Sequence, residues 1–178
     1  MYLRRALLAI ATVIASVLAV GLAPTGAMAA SWSGRCYDGL ANSWKVSLPG
    51  KSDLDINAMP CVYISGNQLY ASVILDWIND QAPPVGSGHK FDGFIVRANF
   101  EVRPNGSSTD TIFTHTDCNI TSTINSKWSG IYTCKTPVYT GYSSAFDYSG
   151  DGWAQWDVDN DGKGWLTPRQ FVGSPLLY

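Results

Sequence analysis

The sequence predicts an all-β fold: an antiparallel β-sandwich or barrel of about seven to nine strands, stapled by disulfides. Three observations carry that prediction. Two long segments alternate apolar and polar residues, no stretch sustains a 3.6-residue apolar period, and loops rich in Gly, Pro, Ser and Asn recur at short intervals. Together they mark antiparallel sheets with short connections rather than helices or a parallel sheet with crossovers.

The chain opens on the basic MYLRR, runs through apolar or small residues from Ala6 to Ala23, and breaks at Pro24 before Ala27-Met28-Ala29. That order predicts a signal peptide over residues 1–29 and a single secreted β domain over 30–178. The apolar run alone is just long enough for a membrane helix, but Gly21, Pro24 and the small-residue box behind it favour removal. No membrane association is expected after that cut. Of the 12 Lys and Arg, Arg4 and Arg5 leave with the leader, so ten basic side chains face 14 acidic ones. The resulting net charge of minus four argues against nucleic acid as a partner. All four cysteines lie in the exported part without a Cys-x-x-Cys pair, so they read as two disulfides rather than a metal cluster.

The elements follow in chain order. WKVSL, with Trp44, Val46 and Leu48 on one face, and CVYIS read as short strands. LYASVILDWI is the clearest strand: Leu69, Ala71, Val73, Leu75 and Trp77 share one face. FIVRANFEV repeats the pattern, with Phe94, Val96, Ala98, Phe100 and Val102 inward and Ile95, Arg97, Asn99 and Glu101 mostly toward water. Pro104-Asn105-Gly106 makes a turn, and TIFTH resumes as a strand. Between Cys118 and Cys134 a hairpin closed at Asn125-Ser126-Lys127 sets Ile120 opposite Tyr132, Ile124 opposite Trp128 and Cys118 opposite Cys134. Directly opposed residues sit near the disulfide optimum of about 5.5 Å, so Cys118 pairs with Cys134 and, by elimination, Cys36 with Cys61. GYSSAFDYSG reads as a loop and WAQWDV as another strand.

Three groups of residues are candidates for function. Asp157, Asp159 and Asp161 followed by Gly162 reproduce the first half of a calcium loop, in which alternate carboxylates converge on a hard cation. The second half fails, because Trp165 and Pro168 stand where the later ligands belong; calcium would then be structural and draw on Asp147, Asp151 or carbonyls. The other reading is a plain hairpin, with Asp161-Gly162 in a type I′ turn that brings Val158 opposite Trp165 and buries Trp156 and Trp165 together. Trp153, on the opposite face, is the better ligand contact, and Tyr139, Tyr142 and Phe146 extend an exposed aromatic patch. For catalysis, His115 and Asp117 share a strand face, and Glu101 could pair with an aspartate as in glycosidases. No hydrolase motif accompanies them. The expectation is therefore a secreted, non-catalytic recognition or adaptor module for an extracellular protein or a glycan. A small secreted hydrolase, a secreted enzyme inhibitor and an envelope structural protein are the alternatives.

Overall fold

The computed structural model describes residues 31–80 and 89–178. The expected signal peptide and the QAPPVGSG loop lie outside the described residues. The strands are β1 (Ser33–Cys36), β2 (Ser43–Val46), β3 (Leu54–Ser65), β4 (Gln68–Asn79), β5 (Phe91–Pro104), β6 (Thr111–Asn119), β7 (Ser129–Lys135), β8 (Tyr139–Thr140), β9 (Phe146–Val158) and β10 (Arg169–Gln170). Among the described residues there is one α-helix, α1 (Thr121–Ser126), about a turn and a half long, and one 3-10 turn, Leu40–Asn42. The strands form two antiparallel sheets. In the first the order is β1-β3-β4-β7, with β2 also on β3 and β8 on β4; in the second it is β10-β9-β5-β6. The fold is thus a sandwich and not a closed barrel, and β3 is a twelve-residue strand of which CVYIS is only the end.

Alternation builds the core. Leu54, Ile56, Val73, Leu75 and Trp77 from the first sheet meet Phe91, Phe94, Val96, Ala98, Ala154 and Trp156 from the second. A smaller cluster of Val62, Leu69, Ala71, Phe100, Tyr148 and Leu177 fills the other end. Each fully buried large side chain contributes about 1.5–3 kcal/mol from removal of apolar surface from water. Close approach of the sheets depends on β9. A Cβ at Gly150 would stand 2.2 Å from the Cys61 carbonyl oxygen of the facing sheet, and one at Gly152 would strike the Arg97 carbonyl oxygen of neighbouring β5 at 2.0 Å and meet Val73 of the facing sheet at 3.0 Å. These two glycines let the sheets close at the middle of β9.

Both disulfides form as expected, Cys36 with Cys61 and Cys118 with Cys134. Cys36 and Cys61 are direct cross-strand partners on β1 and β3. The second bond, however, does not join the two strands of a hairpin. Residues 118–134 are not a hairpin: β6 pairs with β5 in the second sheet, β7 pairs with β4 in the first, and α1 carries the chain between sheets. Ile120 and Ile124 sit one helical turn apart, both fully buried, instead of facing Tyr132 and Trp128. Cys118 and Cys134, 5.8 Å apart at Cα, therefore staple one sheet to the other. The opposite edge is closed by Asn42, which donates to the Val172 carbonyl and accepts from its N–H.

GYSSAFDYSG is only partly a loop, since Phe146–Gly150 belong to β9 and pair with β5. The turn at residues 104–107 is present, closed by Ser107 N–H donating to the Pro104 carbonyl at 2.9 Å, with Gly106 at φ 81°.

Candidate functional site

The tip WDVDNDGKGW does not form the expected hairpin. After β9 the chain turns through Asn160 at φ 59° and Gly162 at φ 70° and returns alongside β9, with Leu166 N–H donating to the Trp156 carbonyl. Trp156 is in the core at 8 % exposure, but Trp165 is 47 % exposed and lies over Gly93 rather than opposite Val158. The irregular return, without strand alternation, removes the register that would have buried it.

The three aspartates of the tip take separate partners. Asp159 is bound by the Lys51 ammonium at 2.8 Å, and that hydrogen bond holds its carboxyl below the usual range. Asp161 accepts from the Lys163 N–H at 2.8 Å. Asp157 is held above the usual range by desolvation and by the Asp92 and Asp161 charges. Among the described residues, the three potential metal ligands that gather within 4.8 Å are His89, Asp92 and Asp159. His89 and Asp92 are exposed there, and Lys51 already supplies a positive charge to Asp159. Asp147 and Asp151 lie along β9, away from the tip.

Tyr139 and Tyr142 are half-buried and pack against the smaller core cluster, so they do not form an exposed patch. Tyr139 lies 4.6 Å from Phe113, and Tyr142 5.7 Å from Tyr148. Phe146 is 38 % exposed at the start of β9. Trp153 is on the outer face of the second sheet as expected, half-buried, with the Arg97 guanidinium 4.7 Å from its ring centre.

That outer face collects most of the polar chemistry. Arg97 grips Asp117 through two hydrogen bonds of 2.6 Å, which depress the Asp117 carboxyl and leave it occupied, so Asp117 does not orient the exposed His115. Beside them the centre of the sheet carries Asn99 and Glu101 on β5, and Ser149 and Asp151 on β9. Of these, Asn99 and Glu101 were expected to point mostly to water. Instead Asn99 is 6 %, Glu101 9 % and Ser149 5 % exposed. Burial, then the Asp151 and Asp110 charges, push the Glu101 carboxyl up to about 7. Burial also raises Asp151, against the Gly152 N–H that donates to it. The glycosidase-type pairing expected for Glu101 thus has a neighbour, Asp151, one step along the facing strand. Linear spacing could not select it, because the register of β5 on β9 decides which aspartate stands there. Asn99 and Ser149 were missed for the same reason.

On the first sheet an open hollow between Trp44, Lys45, Asp55, Asn57, Asp76 and Ile78 is less promising. Lys45 there is held by Asp80 at 3.1 Å and Asp55 at 3.6 Å. Among the described residues, no helix is long and apolar enough to cross a membrane. Comparison with protein-family models, with curated proteins and with solved structures returns no significant match, so the outer face of the second sheet must be read from its own chemistry.

Proposed function

We propose that the protein is an extracellular binding module whose working surface is the outer face of the second sheet, and that it takes a hydroxyl-rich ligand of the glycan type. One observation carries this reading: Asn99, Glu101 and Ser149 are sunk into the solvent side of a sheet where a merely soluble surface would keep polar groups hydrated. Carboxylates, an amide and a hydroxyl beside an aromatic ring are the groups that bind sugar hydroxyls and stack on sugar rings. Two disulfides and the leader-like first residues favour work outside the cell.

The test is retention of the disulfide-bonded protein on insoluble polysaccharides and isolated cell wall. Wild type is expected to be retained, and Trp153→Ala to be lost to the supernatant with its unfolding curve little changed. Equal retention of Trp153→Ala and wild type sinks the proposal. Release of reducing ends that disappears in Glu101→Gln would move the reading to a hydrolase. A second reading, a polypeptide partner added to the free edge of β6, is favoured by Ile112 and Phe113, 52 % and 51 % exposed there.

A further inference from the structure

We infer that a divalent, oxygen-preferring cation of the calcium class binds on the outer face of the second sheet, held by Asn99 Oδ1, the Glu101 and Asp151 carboxylates and Ser149 Oγ. These four side chains form a square in the register. Asn99 is the direct partner of Asp151, and Glu101 of Ser149, on adjacent central strands. Opposed Cβ atoms in such pairs stand about 5 Å apart, and all four side chains share one face. The Ser149 hydroxyl already lies 3.4 Å from the Glu101 carboxylate.

The second observation is independent of the carboxylates. Asn99 Oδ1 is buried and accepts no hydrogen bond. Such an oxygen has lost its water without gaining a donor, a burial that is unfavourable until a bound group supplies one. Other buried atoms are also unpartnered, but the indole nitrogens of Trp44, Trp77 and Trp156 are donors, which a cation cannot use. Ser72 and Asn79 belong to the first sheet, and no carboxyl faces them in the register. Arg103 Nε, opposite Asp147 and ion-paired with Asp110, is a donor like the indoles, so Asn99 Oδ1 alone of the unpartnered acceptors has a carboxylate as its direct partner.

The basic side chains nearest the square are His115, the partner of Asn99 on β6, and two arginines that already hold ion pairs. Arg103 pairs with Asp110 at 2.8 Å, and Arg97 is bound to Asp117 and laid over Trp153. One divalent cation would satisfy the amide oxygen and neutralise two neighbouring carboxylates at once. A donor set of amide, hydroxyl and carboxylate oxygens suits calcium or magnesium rather than zinc or copper. Ligands spread over two strands, with water completing the shell, fit the looser coordination of calcium better than the strict octahedron of magnesium. This inference uses the same side chains as the glycan reading but does not rest on it, since titration without polysaccharide tests the ion alone.

The experiment is titration of the chelator-stripped, disulfide-bonded protein with calcium chloride at fixed pH by calorimetry. Terbium luminescence is the second readout, since Trp153 lies two residues from Asp151 on the same face and can sensitise it. The expected result is one saturable site and sensitised emission. Glu101→Gln, Asp151→Asn and Asn99→Leu should each weaken binding at least about tenfold, the loss that even outer-shell changes cause. Asn99→Asp should hold or tighten it, and Asp159→Asn should leave it unchanged. Near-ultraviolet circular dichroism checks that each variant is folded. Absence of saturable heat and emission in folded wild type overturns the inference. So does binding that survives Glu101→Gln and Asp151→Asn, or that is lost in Asp159→Asn.

Discussion

Replacing Glu101 with glutamine should stabilise the protein above neutral pH while leaving it nearly unchanged in mild acid. The Glu101 carboxyl is raised from 4.5 to about 7, first by burial and then by Asp151 and Asp110. A carboxyl raised on folding binds its proton more tightly in the folded state. Its contribution is therefore fully present below pH 4.5 and is lost as pH rises through about 7. At 1.36 kcal/mol per unit the gap corresponds to a loss of about 3 kcal/mol. The residue is 9 % exposed, so solvent screening does little to reduce that figure. Glutamine keeps the shape and cannot ionise, so it carries no such loss. The assay is urea unfolding of both proteins at pH 5 and pH 8 in chelator, with disulfides intact and slopes compared to confirm that the unfolded states match. Asp117 and Asp159, held low by Arg97 and Lys51, lose their contribution only as pH falls below the ordinary carboxylate range, outside that window. Asp151 titrates in both proteins, so the difference between them reports Glu101 together with its coupling to Asp151. Parallel pH curves for variant and wild type, or a variant weaker at pH 8, would refute the reasoning.

Four further outcomes follow from packing. Trp156→Ala should cost about 3–5 kcal/mol in urea unfolding while Trp165→Ala costs under about 1 kcal/mol, because only the first is buried. Gly150→Val should fail to accumulate as folded protein in a secretion assay, since its Cβ would strike the facing Cys61 carbonyl. Replacing Cys118 and Cys134 together by alanine removes a bridge across 16 residues and should lower stability by about 3 kcal/mol, with hydrogen exchange rising first in β6 and β7. Asn125→Ala should cost about 1–3 kcal/mol, because Asn125 accepts from the Lys90 and Phe91 N–H groups and donates to the Phe91 carbonyl.

How much of this was legible depended on the range of the information. The period of two in LYASVILDWI and FIVRANFEV is a local property, and both became strands with the expected faces inward. The Cys118–Cys134 bond was anticipated through a hairpin that does not exist. Seventeen residues joining opposed edges of two sheets look, in one dimension, like two strands and a turn. What separates the cases is burial of Ile120 and Ile124 on a single helical turn, a spacing of four that was visible but too short to outweigh alternation. Trp165 failed differently. The turn at Asp161-Gly162 was recognised, but a turn signal fixes only that the chain reverses, and here the return pairs Leu166 with Trp156 without rebuilding alternation. Glu101 was visible as the chain's single glutamate, yet its partner depends on how β5 slides along β9.

The two glycines and the polar square lie on the same stretch of β9, and this is where fold and site meet. Side chains alternate along a strand, so Gly150 and Gly152 face the first sheet while Ser149 and Asp151 face outward. The absence of a Cβ on the inner side lets the facing backbone approach, which removes the slack that would let the centre of β9 flex. Pairing with β5 on one side and hydrogen bonds from Phe171 and Ser174 to the Gly152 and Gly150 carbonyls on the other hold the strand laterally. An outward group on such a strand cannot relax toward water by moving its backbone. Asn99, Glu101 and Asp151 must keep their mutual positions, and any relief of their repulsion has to come from a proton or a bound group. A site whose discomfort is fixed by the scaffold responds to ligand rather than to rearrangement, so occupancy should raise stability without a detectable change in β-sheet content. Far-ultraviolet circular dichroism that changes on saturation with calcium would show that the scaffold yields first.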